Sequence, residues 1–215
     1  LKAKRTDIVT TCYKNPPLPT DVGSALERDR LAGTLVFVGA AQFMIFMIVA
    51  EAVYPNYSVS QNYISDLGNY QLAPSTPHAV IFNSSIIVMG LLLIIGGLLL
   101  WSADLRSRLL SIFVVLSGIG AAGVGVFPET SPYHLHTAFS LIVFLFASLA
   151  SYPATFYRRG SSPAWAVLGT IGLVALFLFI AGVYADLGKG GMERMIAYPN
   201  LLWALGFSAS LMTKG

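Results

Sequence analysis

The stretch "AVIFNSSIIVMGLLLIIGGLLLW", residues 79–101, decides the fold because it carries no charged side chain over a length that crosses a bilayer. A membrane-spanning helix needs about 20 mainly apolar residues. None of the apolar runs in the chain shows the alternating pattern of a transmembrane barrel strand. We therefore predict an all-α integral membrane bundle of six transmembrane helices. The predicted spans are residues 31–53, 79–101, 109–127, 137–157, 163–185 and 196–213.

The composition supports a membrane protein and excludes a soluble nucleic-acid-binding domain. Charged residues make up 11% of the chain, whereas soluble domains have about a quarter. The net charge of +3 does not indicate nucleic acid, because the basic residues flank the spans. We divide the chain into a cytoplasmic N-terminal arm, residues 1–30, and a transmembrane domain, residues 31–215. The arm is expected to hold one short helical turn at 21–30 and to be either a solvated leader or a docking segment.

The ends and loops of the predicted bundle alternate along the chain between rich and poor in basic residues. By the positive-inside rule, the side with more Lys and Arg is cytoplasmic. Both termini are then cytoplasmic, and the loops 54–78, 128–136 and 186–195 are extracytoplasmic, in a multi-pass protein of the cell membrane. The extracytoplasmic side receives only Lys189 and Arg194. The other side receives Lys2, Lys4, Arg5, Lys14, Arg28, Arg30, Arg106, Arg108, Arg158, Arg159 and Lys214.

The third span contains "SGIGAAGVGVF", residues 117–127, in which glycines and alanines recur. Small residues at such spacing let helix backbones approach closely in a membrane. We expect tight packing within the bundle, with a homodimer face as the alternative.

Polar side chains gather at the extracytoplasmic ends of the spans. Polar groups at that depth are costly against lipid and should face the bundle interior or a water-filled vestibule. We take four residues as candidate acid–base groups: Asp66, Glu129, His136 and Glu193. Three others are candidate ligand-binding groups: Asn83, Arg194 and Glu51.

All three histidines, His78, His134 and His136, fall on the same side and are candidate ligands for a transition metal such as zinc. His134 and His136 can meet at one centre only if "SPYHLH", residues 131–136, is extended, because side chains two apart then share a side. The alternative is that the histidines cap helices or bond to loop carbonyls. Haem is not expected, since no histidine lies well inside a span.

The long connection 54–78 is polar but rich in tyrosine, and its turn residues predict a compact lid over the helix ends. Asp66, within this connection, is expected to be a turn or cap residue. The alternative is that Asp66 has a functional role. Arg194 is expected to pair with Asp66 or Glu129 and so to join two loops.

Four motifs in order resemble a family of membrane proteins known as domain of unknown function 998. They are "NYISDLG" at 62–68, "FN" at 82–83, "VGVFPE" at 124–129 and "GGMERMIAYPNLLWALGF" at 190–207. The resemblance covers about residues 30–213 and implies a six-span protein without an assigned activity. It singles out positions for testing: Ser65, Asp66, Gly68, Asn83, Pro128, Glu129, His136, Glu193 and Arg194.

Three classes of function fit these patterns. The first is a scaffold, sensor or accessory subunit, whose partners are the bilayer and other membrane subunits or further copies of the chain. The second is a membrane-embedded enzyme, metal-dependent or not, that acts on a lipid or isoprenoid headgroup at the outer leaflet. The third is a small-solute transporter, which is disfavoured because no ionisable residue lies near the midpoint of a span.

Overall fold

The computed structural model describes residues 20–158 and 160–213, and in that part of the chain it is all α-helical, without strands. All six helices are long and apolar enough to cross a membrane, which confirms the predicted six-helix transmembrane bundle. Short 3-10 turns lie at Ser65–Gly68 and Pro132–His134. The helices are α1 (Thr20–Val53), α2 (His78–Leu99), α3 (Leu105–Val126), α4 (Leu135–Thr155), α5 (Pro163–Ile180) and α6 (Gly188–Met212).

Two helices begin at side-chain caps. The Asp104 carboxylate accepts from the backbone N–H of Ser107 at 3.0 Å and from the Ser102 hydroxyl at 2.5 Å, and these bonds lower the pKa of Asp104. The hydroxyl of Ser162 accepts from Ala164 N–H at 3.3 Å at the start of α5. Because Asp104 caps it, α3 begins four residues before the predicted span at 109.

The first helix is continuous from Thr20, so the helical conformation predicted at 21–30 is confirmed, but it is part of the first span and not a short turn. Residues 20–53 contain no proline, and nothing else in that sequence interrupts the helical hydrogen bonds. Asp29 in this early part is buried and accepts a hydrogen bond from the Tyr157 hydroxyl at 2.8 Å. Residues 1–19 of the predicted arm lie outside the described residues.

The last helix begins at Gly188, eight residues before the predicted span. The segment 188–195 is therefore helix, although the sequence predicted a loop over 186–195. Gly188 has a φ of 74°, and Gly190 N–H donates to the Ser60 carbonyl at 3.0 Å. The early start places Glu193 and Arg194 on a regular helix.

Five helices, α1 to α4 and α6, form a ring around a common centre, and α5 lies outside this ring. Helices α1 to α4 pack against one another in chain order, and α6 packs against α1. Helix α5 packs against α4 and α6. Polar side chains cross between helices and bond to backbone or to one another, which stabilises helix pairs in a membrane. These bonds join Gln42 to the Ser85 carbonyl (2.9 Å), Ser111 to the Gly97 carbonyl (2.7 Å), and the Asn200 amide to Ser148 (2.9 Å).

The glycines of α3 pack inside the bundle, as the first alternative predicted. A Cβ at Gly118 would lie 2.7 Å from the Gly90 carbonyl oxygen on α2. A Cβ at Gly120 would lie 2.5 Å from the backbone nitrogen of Val143 on α4. The small-residue face is thus used by neighbouring helices of the same chain.

A methyl group at the α2–α3 contact tests this packing. We expect Gly90→Ala to destabilise the protein by about 1–3 kcal/mol, because its Cβ would meet backbone atoms of Gly118 and Ala122 at 2.6 and 2.5 Å. The control is Gly23→Ala, also in a helix but with nothing within 4 Å of the added Cβ. It should leave stability unchanged or slightly higher. Thermal unfolding in detergent measures both, and equal midpoints for the two variants would contradict the packing.

Candidate functional site

Arg194 is the most highly connected side chain at the end of the bundle covered by residues 54–77, which we call the lid. The guanidinium donates to five acceptors and is only 4% exposed. They are Glu51 Oε1 (2.5 Å), the Tyr57 hydroxyl (2.6 Å) and the carbonyls of Gly190 (3.0 Å), Val59 (3.1 Å) and Asn62 (3.3 Å). The ion pair expected between Arg194 and Asp66 or Glu129 was therefore wrong, because Arg194 pairs with Glu51 at the end of α1.

Tyr57 was not predicted as a site residue, although the concentration of tyrosines in the lid was a signal. Its hydroxyl accepts from Arg194 and donates to the Tyr63 carbonyl at 3.0 Å. The guanidinium also lies over the Tyr57 ring, 5.5 Å from its centroid. Burial raises the pKa of Tyr57 well above its usual value, so the phenol stays neutral and keeps its donated bond. We call the set Glu51, Tyr57 and Arg194 the clasp.

Glu193, one residue before Arg194, contacts a different residue of the lid. Its Oε2 accepts from the backbone N–H of Ile64 in the lid at 2.5 Å, and the residue is 6% exposed. Glu193 also lines a cavity inside the bundle. Adjacent residues of α6 therefore bind the lid from two directions.

Asp66 organises the lid internally, as the turn-and-cap interpretation predicted. Its Oδ2 accepts from the backbone N–H of Tyr63 at 2.9 Å and from the Asn62 amide at 3.0 Å. Asp66 is 6% exposed and lies in the 3-10 turn Ser65–Gly68. Its carboxylate is thus engaged in holding the shape of the lid.

His78 and Asn83, both on α2, bind residues of the lid through their side chains. The two ring nitrogens of His78 bond to the Thr76 hydroxyl (2.7 Å) and to the Asn69 carbonyl (3.1 Å), and the ring is fully buried. The Asn83 amide donates to the Gly68 carbonyl at 3.0 Å. These bonds match the alternative in which histidines bond to loop carbonyls.

Glu129 and His134 lie at the surface of the α3–α4 connection. Glu129 is exposed, and its Oε2 accepts from the Asn69 amide at 3.4 Å. Tyr133 and His134 have φ values of 60° and 53°, so "SPYHLH" does not have the extended conformation that a shared centre for His134 and His136 requires. The chain instead turns sharply there because Pro132 begins a short 3-10 turn, leaving His134 exposed and His136 buried.

The three histidines each have separate surroundings. Within residues 20–158 and 160–213, no group of three or more His, Cys, Asp or Glu side chains is placed to hold a metal ion. His78 has both ring nitrogens bonded, and His134 is at the surface. The arrangement therefore offers no shared centre among the described histidines for zinc or a similar ion.

His136, at the start of α4, has one ring nitrogen bonded and one free. Nδ1 lies 2.9 Å from the carbonyl oxygen of Phe127, which closes the end of α3. Because a carbonyl only accepts, Nδ1 carries the proton. Nε2 is buried and has no hydrogen-bond partner among the described residues. His136 is one of the residues that line the same cavity as Glu193.

The cavity lies at the centre of the ring of helices and has a volume of about 100 Å³. Two helices line it with matching faces spaced at four, seven, eleven and fourteen residues, the period of one side of a helix. On α4 the face is His136, Ser140, Val143, Ala147 and Ala150. On α6 it is Glu193, Ala197, Asn200, Ala204 and Phe207.

Each face extends about 21 Å at 1.5 Å per residue, with its titratable residue at the lid end. The spacing is present in the sequence, but it is also that of an ordinary packed helix, so the cavity could not be inferred from it. Trp203, Phe43 and Phe82 add aromatic walls.

Comparison with known proteins identifies one family. A family model described as "Protein of unknown function (DUF998)" matches residues 37–210. The comparisons with curated proteins and with solved structures gave no match.

The clasp predicts a large stability difference between two arginine substitutions. Arg194→Gln should destabilise the protein by about 3–5 kcal/mol, because it leaves the half-buried Glu51 carboxylate without its cation and several carbonyls without donors. The matched control is Arg106→Gln, at an exposed arginine in the first turn of α3, at the opposite end of the bundle from the lid. Thermal unfolding of both variants measures the effect. Similar unfolding midpoints for the two would show that Arg194 does not hold the lid.

Proposed function

The chain belongs to this DUF998 family, and we propose that it is a non-enzymatic membrane protein, of the sensor or accessory class, that binds a small lipid-soluble molecule in its central cavity. The observation that carries the proposal is the cavity itself. It is lined mainly by apolar and aromatic side chains with a few polar groups, the usual make-up of a small-molecule site. Its volume of about 100 Å³ is of the same order as the roughly 150 Å³ engineered cavity that binds benzene.

The use of the polar residues supports binding over catalysis. Glu51 and Arg194 neutralise each other in the clasp, and Asp66 is occupied by lid donors. These bonds give each of the three groups a structural role in the lid or the clasp. The lid then serves as a fixed cover over one end of the cavity.

A second candidate function is a membrane-embedded enzyme acting on a lipid or isoprenoid headgroup. Glu193 and His136 favour it, because both line the same cavity and both belong to residue types used in acid–base catalysis. Turnover of a lipid by the purified protein, lost in Glu193→Gln, would favour this candidate over simple binding.

We also propose that the protein is an integral protein of the cell membrane with the lid extracytoplasmic and both termini cytoplasmic. The distribution of arginines supports this orientation: Arg28, Arg30, Arg106, Arg108 and Arg158 flank the helix ends opposite the lid. At the lid end, Arg194 is neutralised by Glu51. Other membrane subunits or further copies of the chain would pack on the lipid-facing helix surfaces.

Cysteine labelling tests the orientation. In a Cys12→Ser background, Ser60→Cys places an exposed thiol in the lid, and Ala103→Cys places one in the connection between α2 and α3. In intact cells, a membrane-impermeant maleimide should label position 60 and leave position 103 unlabelled until the cells are permeabilised. The reverse pattern would contradict the proposed orientation.

Cavity filling tests the binding. Ala147→Phe puts a ring into the cavity, whereas Ala138→Phe makes the same change at an exposed position of the same helix. We expect organic extracts of purified wild-type protein and of Ala138→Phe to contain a lipid-soluble molecule that falls at least about tenfold in Ala147→Phe. Mass spectrometry of the extracts, at equal amounts of folded protein, makes the comparison. Identical extracts from all three proteins would overturn the proposal.

A further inference from the structure

Four buried polar atoms among the described residues have no hydrogen-bond partner: Asp29 Oδ2, Asn83 Oδ1, His136 Nε2 and Arg194 Nε. All four belong to groups that are bonded through another atom. Asp29 binds Tyr157, Asn83 binds the lid, and Arg194 makes five bonds. His136, bonded through Nδ1 to the Phe127 carbonyl, differs because it is also one of the residues that line the central cavity.

The hydrogen-bonding character of His136 Nε2 follows from the contact on the other side of the ring. The Phe127 carbonyl requires a proton on Nδ1, at 2.9 Å, so the neutral ring presents a lone pair at Nε2. The free nitrogen is thus an acceptor without a donor.

Resting on the proposed function, we infer that the molecule bound in the cavity is a membrane-soluble alcohol whose hydroxyl donates a hydrogen bond to His136 Nε2. A buried acceptor without a partner is unfavourable, and a ligand hydroxyl in this cavity supplies the missing donor. An ether or ketone of the same size offers only acceptors and cannot do so. The apolar walls contributed by Val143, Ala147 and Phe144 would contact the rest of the ligand.

Two isomeric probes distinguish binding through a hydroxyl donor from binding through apolar contacts alone. Benzyl alcohol and anisole have the same atoms and nearly the same size, but only the alcohol donates a hydrogen bond. Each is titrated into the purified protein, and its affinity is taken from the rise in thermal unfolding midpoint that ligand binding produces. Ala147→Phe serves as the cavity-filled reference.

Two variants at His136 distinguish the role of Nε2 in ligand binding from the role of Nδ1 in the bond to Phe127. His136→Asn can keep the donor to Phe127 but has no atom at the position of Nε2. His136→Gln extends an amide towards that position, where its oxygen accepts from the alcohol and its nitrogen donates to the ether. We expect the ratio of alcohol to ether affinity to fall by about three- to tenfold from wild type to His136→Asn, the worth of one neutral hydrogen bond. His136→Gln should bind the alcohol and bind anisole better than the wild type does.

The outcomes distinguish this inference from the function on which it rests. Equal alcohol-to-ether ratios in wild type and His136→Asn, with binding abolished by Ala147→Phe, would overturn the inference and leave the cavity as a binding site. Midpoints that rise with neither probe in the wild-type protein would overturn both. A lower ratio in His136→Asn with anisole binding gained in His136→Gln would support the assignment of Nε2 as the acceptor.

Discussion

The structure at the lid end depends on the burial of one guanidinium. A charged group removed from water is stable only when its donors are bonded and its charge is balanced. Arg194 meets this requirement with Glu51 on α1, Tyr57 in the lid and three backbone carbonyls from the lid and α6. Because these acceptors come from separate parts of the chain, satisfying Arg194 fixes the positions of all of them. The lid is therefore held by this electrostatic requirement together with the bonds of Asp66, His78 and Asn83 and the burial of Ile64 and Leu67 in the bundle core.

The side chains next to Arg194 show how one helix serves two purposes. Successive residues on an α-helix project about 100° apart, so Glu193 and Arg194 face different surroundings. Arg194 faces the lid carbonyls, and Glu193 reaches both the Ile64 N–H and the central cavity. A shift of α6 would break both sets of contacts. The lid position and the shape of the cavity end are thus coupled through two adjacent residues.

The sequence predicted the helices well because the membrane imposes a simple pattern of length and polarity. It also predicted the roles of Asp66 as a turn residue and of the α3 glycines as packing residues, since both depend on local neighbours. It failed where a partner lies far along the chain. The choice of Glu51 over Asp66 for Arg194 depends on how α1 ends beside α6, more than 140 residues later. The sequence also could not decide the local conformation at Tyr133 and His134, where a left-handed turn separates two histidines that could share a centre only in extended chain.

The cavity follows from where the small residues of this bundle lie. On α3, glycines meet the backbone of neighbouring helices and close the gap between them. On α4 and α6, Ala147, Ala150, Ala197 and Ala204 instead face the centre of the ring. Large side chains at those positions would fill the centre, and a cavity lowers stability in proportion to its volume.

A bundle that needed only a stable core would be more stable with leucine or phenylalanine on these two faces. The cavity ends at His136 and Glu193, which are more costly to bury than any apolar residue. An unfilled centre and a polar end are each unfavourable for folding alone. They have a common explanation if the stabilising contacts are completed by a bound amphipathic molecule, whose apolar body fills the centre and whose polar group meets the lid end.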